Sequence, residues 1–377
     1  MSSPEPDRRG SAPGDPTPGA TTSAAVPLPL VPAEREALIE ELVRRSVPAG
    51  PAVRRGRHLL RELITAATDL AAAGGDLLDL KIASTAVQEM EAAFRTFAPH
   101  RARRKVTIFG SARTRPDDPL YVQTRDLAAR MAAAGWMVVT GAGPGIMAAG
   151  LEGAGIDHAI GVQILLPFEA EENPYVSEQN LVEMRYFFTR KLALIRESQG
   201  FVVMPGGFGT LDEAFELLTL LQTGKATPVP IVMVGLGQGY WAGWERFVDL
   251  VVEQGYASVS DKRLYRVTND VDAAVTEITG FYRNFDSVRW VGDELVIRLR
   301  QLPTAVELAE LAERHARVLD QHGIRSSGPL PPEVADRDRL ELPRLRLRIH
   351  RRHPGSLRLL IDDLNTLASL DAPVGDA

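Results

Sequence analysis

The residues of this chain best suited to chemistry lie in one short run, Pro205-Gly206-Gly207-Phe208-Gly209-Thr210-Leu211-Asp212-Glu213. Gly200-Phe201-Val202-Val203 before it reads as a buried strand, and Ala214 to Leu221 after it has helical spacing. A strand, a glycine-dense turn and a helix start together make an anion site. Glycines let the backbone approach a phosphate, and the helix N-terminus offers unpaired N–H groups with a partial positive charge. Glu213 then falls one turn into the helix, facing the sugar of a bound nucleotide. Thr210-Leu211-Asp212-Glu213 also fits a capping box, in which Thr caps the helix and Glu reciprocates. A plain cap needs no such glycine density, which favours the ligand loop.

Three further groups carry possible chemistry. Gly141-Ala142-Gly143-Pro144-Gly145 follows a strand, but Ile146 stands where a dinucleotide fingerprint needs its third glycine. A second wall for a mononucleotide, or a tight strand-to-helix turn, fits better than NAD binding. Arg190-Lys191 sits on a helix just before the phosphate-loop strand. The arginine could fork onto a phosphate or the leaving base and the lysine add a point charge, although such residues commonly face solvent. Arg344-Leu345-Arg346-Leu347-Arg348-Ile349 alternates strictly, placing three arginines on one strand face. A half-buried strand with a solvated face is the plainer reading, an anionic effector or subunit site the sharper one.

The elements that position these residues follow from periodicity. Ala33 to Arg45, Val53 to Ala73 and Leu77 to Phe97 have helical spacing, broken at Gly74-Gly75. From about Arg104 to Asp286 short apolar strands alternate with helices: Val106–Phe109, Trp136–Thr140, Ala159–Leu165, Phe201–Met204, Val229–Val234 and Tyr265–Val267 are the strands. That order predicts an α/β fold with a Rossmann-like, doubly wound parallel sheet, its ligands held beyond the carboxyl ends of the strands. Beyond Ser287, strands at Leu295–Leu299 and Leu342–Ile349 and helices at Thr304–Leu319 and Leu357–Leu367 suggest a small α+β unit of ferredoxin-like split order. The expected organisation is a disordered tail (1–31), a helical extension (32–103), the sheet domain (104–286) and the C-terminal unit (287–377).

Composition bounds the function. The chain has 377 residues, 45% hydrophobic and 24% charged, as in ordinary globular proteins. A net charge of −6 argues against nucleic acid as a partner. With no cysteine, disulfides, thiol catalysis and cysteine-ligated metals are excluded, and the 7 histidines show no ligand spacing, so neither metal nor cofactor is expected. Prolines interrupt the apolar Ala24 to Leu30 segment, and no run approaches bilayer length, so a cytoplasmic protein without membrane partners is expected.

The Pro205–Glu213 run with Arg190-Lys191 upstream resembles the LOG (LONELY GUY) family, phosphoribohydrolases that release cytokinin bases from riboside 5′-monophosphates and were formerly labelled lysine decarboxylases. Phe109-Gly110-Ser111-Ala112-Arg113 and Gly143-Pro144-Gly145-Ile146-Met147 resemble the family's other nucleotide-facing segments. The resemblance spans about Lys105 to Tyr282. It implies homodimers or larger assemblies and hydrolysis of an N-glycosidic bond, without a cofactor. Carried over by motif, Gly206, Gly207, Gly209 and Thr210 hold the 5′-phosphate of a nucleoside monophosphate such as AMP. Arg190 and Glu213 form the catalytic pair, with Gly110, Ser111, Gly143, Gly145, Lys191 and Thr219 lining the substrate. The chain departs from the family at Ala142, where a glycine is usual, and at Ala148, where a glutamate is usual. The flanking regions resemble longer bacterial forms, including general purine/pyrimidine nucleotide 5′-monophosphate nucleosidases. A nucleotide sensor that binds without turnover is the alternative from another class.

Overall fold

The computed structural model describes residues 31–47, 53–74, 76–166, 173–237, 239–349 and 354–371, which divide after Gly74 into two compact units. The expected tail, apart from Val31, and the His350–His353 segment lie outside the described residues. In the first unit, α1 (Pro32–Ser46) starts with proline at its first position, where the missing N–H costs nothing. It buries Ile39 and Val43, and ion pairs Arg35–Asp69 (2.8 Å) and Arg61–Glu36 tie it to α2 (Val53–Ala72).

The second unit opens with α3 (Leu77–Phe97), capped by the Asp76 side chain. Then follow β1 (Lys105–Phe109), α4 (Pro119–Ala133), β2 (Met137–Thr140), α5 (Ile146–Ala154), β3 (Ala159–Ile164), β4 (Leu181–Met184), α6 (Phe187–Arg196), β5 (Gly200–Val203), α7 (Phe208–Gln222), β6 (Ile231–Val234), α8 (Gly239–Glu253), β7 (Arg266–Thr268) and α9 (Val271–Gly280). The seven strands form one sheet in the order β4-β3-β2-β1-β5-β6-β7, with every pairing parallel. Side chains alternate across it. Val106, Ile108, Val138, Val202 and Val232 enter one apolar core, whereas Phe109, Met137, Val139, Phe201 and Val203 enter the other. Burial on both faces is what continuous apolar strands require, each such side chain contributing roughly 1.5–3 kcal/mol. The doubly wound Rossmann-like fold expected from the alternation is therefore present.

One strand of the parallel sheet was illegible. Leu181-Val182-Glu183-Met184 forms edge strand β4, burying Val182 and Met184 while Glu183 faces solvent. Four residues with a central charge give too short an apolar signal to read.

The C-terminal part holds β8 (Phe285–Val291), β9 (Glu294–Leu299), α10 (Ala305–Arg314), β10 (Arg325–Ser327), α11 (Pro331–Asp336), β11 (Arg344–Leu347) and α12 (Pro354–Asn365). Its sheet is antiparallel in the order β10-β11-β9-β8. The expected split order is present: β9 and β10, linked through α10, lie on either side of β11, which runs antiparallel to both. To this β8 is added by a hairpin at Gly292-Asp293, where Gly292 takes φ +64°. Leu295, Ile297, Leu345, Leu360 and Leu364 share one core with Ile278 and Phe285. This sheet and the parallel one are thus joined through apolar packing.

Candidate functional site

The chain leaves β1 toward one edge of the parallel sheet and β5 toward the other, so the carboxyl ends of these two neighbours form the topological switch point. The turns that follow them meet there, where the Ser111 amide donates to the Pro205 carbonyl (3.2 Å). A cleft of about 760 Å³ opens between the turns, walled by Gly110, Ser111, Arg190, Gly206, Thr210 and Glu213 among others. A Cβ at Gly206 would lie 2.2 Å from Thr210 Oγ1, so only glycine allows the loop to close on the helix start.

Helix α7 begins at Phe208 with Gly207 as its N-cap. Its first intrahelical bond runs from the Leu211 amide to the Gly207 carbonyl (3.1 Å), which leaves the amides of Phe208, Gly209 and Thr210 free of intrahelical acceptors. These donors and the helix dipole face the cleft mouth, as an anion site requires. Thr210 is therefore inside the helix and not its cap, and the capping-box reading is overturned. The glycine loop lets the helix start three residues earlier than such a cap would allow.

That early start sends Glu213 inward. It is 8% exposed, and its Oε2 has no hydrogen-bond partner among the described residues. Burial pushes its pKa up to about 7, against the opposing pull of the Lys191 and Arg190 charges. Arg190, on α6, donates from Nε to the Val162 carbonyl (2.9 Å) and from Nη2 to the Gly141 carbonyl (3.3 Å). Met147 Sδ lies 3.8 Å from Nη2, while Nη1 has no protein acceptor among the described residues. Burial lowers the Arg190 pKa, and the Glu213 charge works against that. A Cβ at Gly141 would fall 1.8 Å from Nη2, so the first glycine of its turn makes room for this guanidinium. No ion pair joins Arg190 to Glu213 among the described residues; each faces the cleft with part of its bonding capacity unspent.

Two supports come from outside the motifs. Glu89, buried on α3, accepts hydrogen bonds from the Arg185 amide (2.6 Å) and the Thr189 hydroxyl (2.5 Å) at the start of α6. Tyr240, at the start of α8, donates its hydroxyl to the Gly206 carbonyl (2.6 Å) and so braces the glycine loop.

Of the residues expected at the site, the cleft collects Arg190, Glu213, Gly110, Ser111, Gly206, Gly207, Gly209 and Thr210. Four are not among its walls. Lys191 turns away to Asp212 (2.7 Å) and Glu216 (2.6 Å). Thr219 is exposed on α7, with its carbonyl engaged by Thr223. Gly143 packs beside Met147, and Gly145 packs on the Ser111-Ala112 backbone, where a Cβ would lie 2.3 Å from the Ser111 carbonyl oxygen. Arg113 and Tyr240 do line the cleft and were not singled out. Arg113 stands in the quoted first turn, a legible signal; Tyr240 lies 34 residues beyond Gly206, with nothing local to mark it. Of the two departures, Ala142 adopts φ +55°, a conformation natural to glycine, and Ala148 is half-buried on α5, outside the cleft walls.

The Arg344, Arg346 and Arg348 face is neutralised from within. Arg344 is fully buried against Glu333 (3.2 Å), Arg346 pairs with Glu294 and Arg348 with Asp293 (3.3 Å). Register opposes Arg344 to Arg298, and Glu333 serves both, with Arg298 at 2.7 Å. A solvated face is thus not what forms at Arg344, since the carboxylates that accompany it are distant in sequence.

Fold and site together define a doubly wound α/β protein with a glycine-rich loop opening a helix and a buried carboxylate at its switch point. Residues 143–278 match the family model described as "Possible lysine decarboxylase". The chain is 28% identical over 151 residues to cytokinin riboside 5′-monophosphate phosphoribohydrolase LOG7 of Arabidopsis thaliana, covering 39% of this chain and 66% of that protein. It is 32% identical over 110 residues to LOG4 of the same plant, covering 28% and 48%. A solved molybdenum cofactor carrier protein from Chlamydomonas reinhardtii is 21% identical with a TM-score of 0.35, covering 47% of this chain and 96% of that one. The match thus spans about half to two thirds of these two plant relatives. Over its central sheet the chain is similar to LOG proteins, the resemblance that its motif indicated. No helix among the described residues is long and apolar enough to cross a membrane, and no group of three or more His, Asp or Glu is placed to hold a metal ion.

Proposed function

We propose that the chain is a phosphoribohydrolase that cleaves the N-glycosidic bond of a nucleoside 5′-monophosphate, AMP or an N6-substituted AMP, to free base and ribose 5-phosphate. The observation that carries this reading is the gathering of the Gly206–Thr210 loop, Arg190 and Glu213 around one cleft. The loop amides suit the 5′-phosphate. Glu213, ionised, suits the stabilisation of an oxocarbenium-like centre at C1′ and the orientation of the attacking water, whose proton it accepts as the C1′–O bond forms. Arg190 Nη1 suits the negative charge that develops on the base as the C1′–N bond breaks. Met147 and the half-exposed Phe187 give the cleft an apolar wall for the base.

The relatives' activity on cytokinin riboside monophosphates supports an N6-substituted substrate. Incubation with a panel of nucleoside monophosphates, with free base followed by chromatography, tests the reading; base release lost in Glu213→Ala supports it. Ala148, standing where the family carries a glutamate, favours a second reading as a sensor, for which tight AMP binding without base release would be the signature. A homodimer or larger assembly belongs to the proposal. Phe215, Phe247 and Leu250 are 41%, 50% and 52% exposed and make an apolar face that an assembly would cover. Light scattering on the purified chain tests it, with a monomer as the contrary result.

A further inference from the structure

A second cavity, of about 960 Å³, lies at the opposite end of the parallel sheet, beside the start of β1. Arg101, Arg103, Arg104, Lys225, Arg300 and Arg339 stand in its lining against only Asp286 and Glu216. The chain as a whole carries −6, so this concentration of cations is a local feature, not a reflection of composition. The two carboxylates are already committed. Asp286 pairs with Arg339 and with Arg104 (3.5 Å), and Glu216 pairs with Lys191 (2.6 Å). Arg101, Lys225 and Arg300 have no carboxylate partner among the described residues. Arg104 also lies over the Tyr282 ring, its guanidinium carbon 3.7 Å from the ring centroid, which holds it at the cavity beside Asp286. Phe188 and Leu192, 55% and 43% exposed, supply an apolar wall on one side.

We infer that this cavity is a binding site for a small anion carrying two or more phosphate groups. Unpaired cations drawn from three separate segments cost self-repulsion in the empty state, and a polyphosphate relieves it while taking the forked arginine donors. A single carboxylate or phosphate would leave most of that charge uncompensated. The site shares its walls with the candidate active site: α6 presents Leu192 here and Arg190 there, and α7 presents Glu216 here and Glu213 there. A ligand that draws on the Lys191–Glu216 pair therefore acts on both helices that carry the proposed catalytic residues. That regulatory consequence rests on the proposed function, whereas the binding site does not.

The test is calorimetric titration of the full-length chain with inorganic tripolyphosphate at physiological salt, for the wild type and for the Lys225→Ala/Arg300→Ala variant. Both side chains are exposed, so the variant keeps its melting temperature. The expected result is saturable binding that weakens at least about tenfold in the variant and persists in excess ribose 5-phosphate, with unstimulated base release unchanged. Equal affinity in the two proteins, or no binding heat, would overturn the site. A single-stranded oligonucleotide of about twelve nucleotides that displaces tripolyphosphate and binds more tightly through the same two residues would overturn the small-anion assignment. Loss of base release in the wild type with tripolyphosphate binding intact would count against the proposed function alone.

Discussion

Glu89 on α3 accepts the hydroxyl hydrogen of Thr189, the residue immediately before Arg190, at 2.5 Å. The same carboxylate takes the Arg185 amide, so a helix outside the quoted motifs fixes the start of the helix that aims the guanidinium. Glu89→Ala is expected to cost about 1–2 kcal/mol of stability, since it removes the acceptor of the Arg185 amide and one of the two acceptors of the buried Thr189 hydroxyl. It should lower kcat of base release at least about tenfold with a smaller change in KM, because Arg190 is misplaced in the transition state. Glu89→Gln should recover most of the rate, its amide oxygen still accepting and Thr189 still bonded to the Tyr186 carbonyl. Unchanged kcat in a folded Glu89→Ala protein would remove this positioning role.

Protonation of Glu213 sets the second expectation. Its pKa in the folded chain is about 7, and the required form is the carboxylate, so kcat/KM should rise with pH through a limb near 7 and level off above it. The substrate phosphate also titrates near pH ~6, and Lys191 separates the two. The Lys191 charge holds the Glu213 pKa down, so Lys191→Met should move the limb to higher pH. A limb that stays fixed or moves down would contradict the assignment.

The same shift predicts a cost in stability. A carboxyl whose pKa rises from 4.5 unfolded to about 7 folded stabilises the fold below pH 4.5 and loses that contribution as pH climbs through 7. Glu213→Gln should therefore abolish turnover yet raise stability at pH 8 by on the order of 2 kcal/mol. Thermal melts at pH 8 and pH 4.5 check this, with the gain expected to vanish at the lower pH.

Tyr240→Phe removes the hydroxyl that braces Gly206. A half-exposed hydrogen bond of this kind is worth about 1 kcal/mol, so KM for the nucleotide should rise about fivefold with kcat little changed. A fall in kcat alone would point to a different role for Tyr240.

What was legible in the sequence follows from locality. The glycine loop, Glu213 and Arg190 were readable because loop, helix start and preceding strand are contiguous, and each leaves a short pattern. The parallel sheet was readable because its strands, buried on both faces, leave continuous apolar runs. Edge strand β4 and hairpin strand β8 were not, since each buries only part of itself and carries charge within the run. Glu89 and Tyr240 were invisible because their partners lie 100 and 34 residues away. Arg344 misled for the same reason: strict alternation suggests one wet face, and nothing near it announces that Glu333 will bury the charge. The capping box failed through a choice between two local signals, glycine loop against Thr-x-x-Glu, which only the position of Gly207 at the helix cap resolves.

The central claim is that Glu213 serves glycosidic cleavage in the cleft formed by the Gly206–Thr210 loop. The most direct measurement is base release from AMP and N6-substituted AMP by the wild type and by Glu213→Ala, with nucleotide binding measured in parallel. The account predicts release of free base and ribose 5-phosphate by the wild type, a loss of at least about a thousandfold in the variant, and nucleotide binding retained in both. Equal turnover by the folded variant, or tight binding with no base released by the wild type, would contradict it.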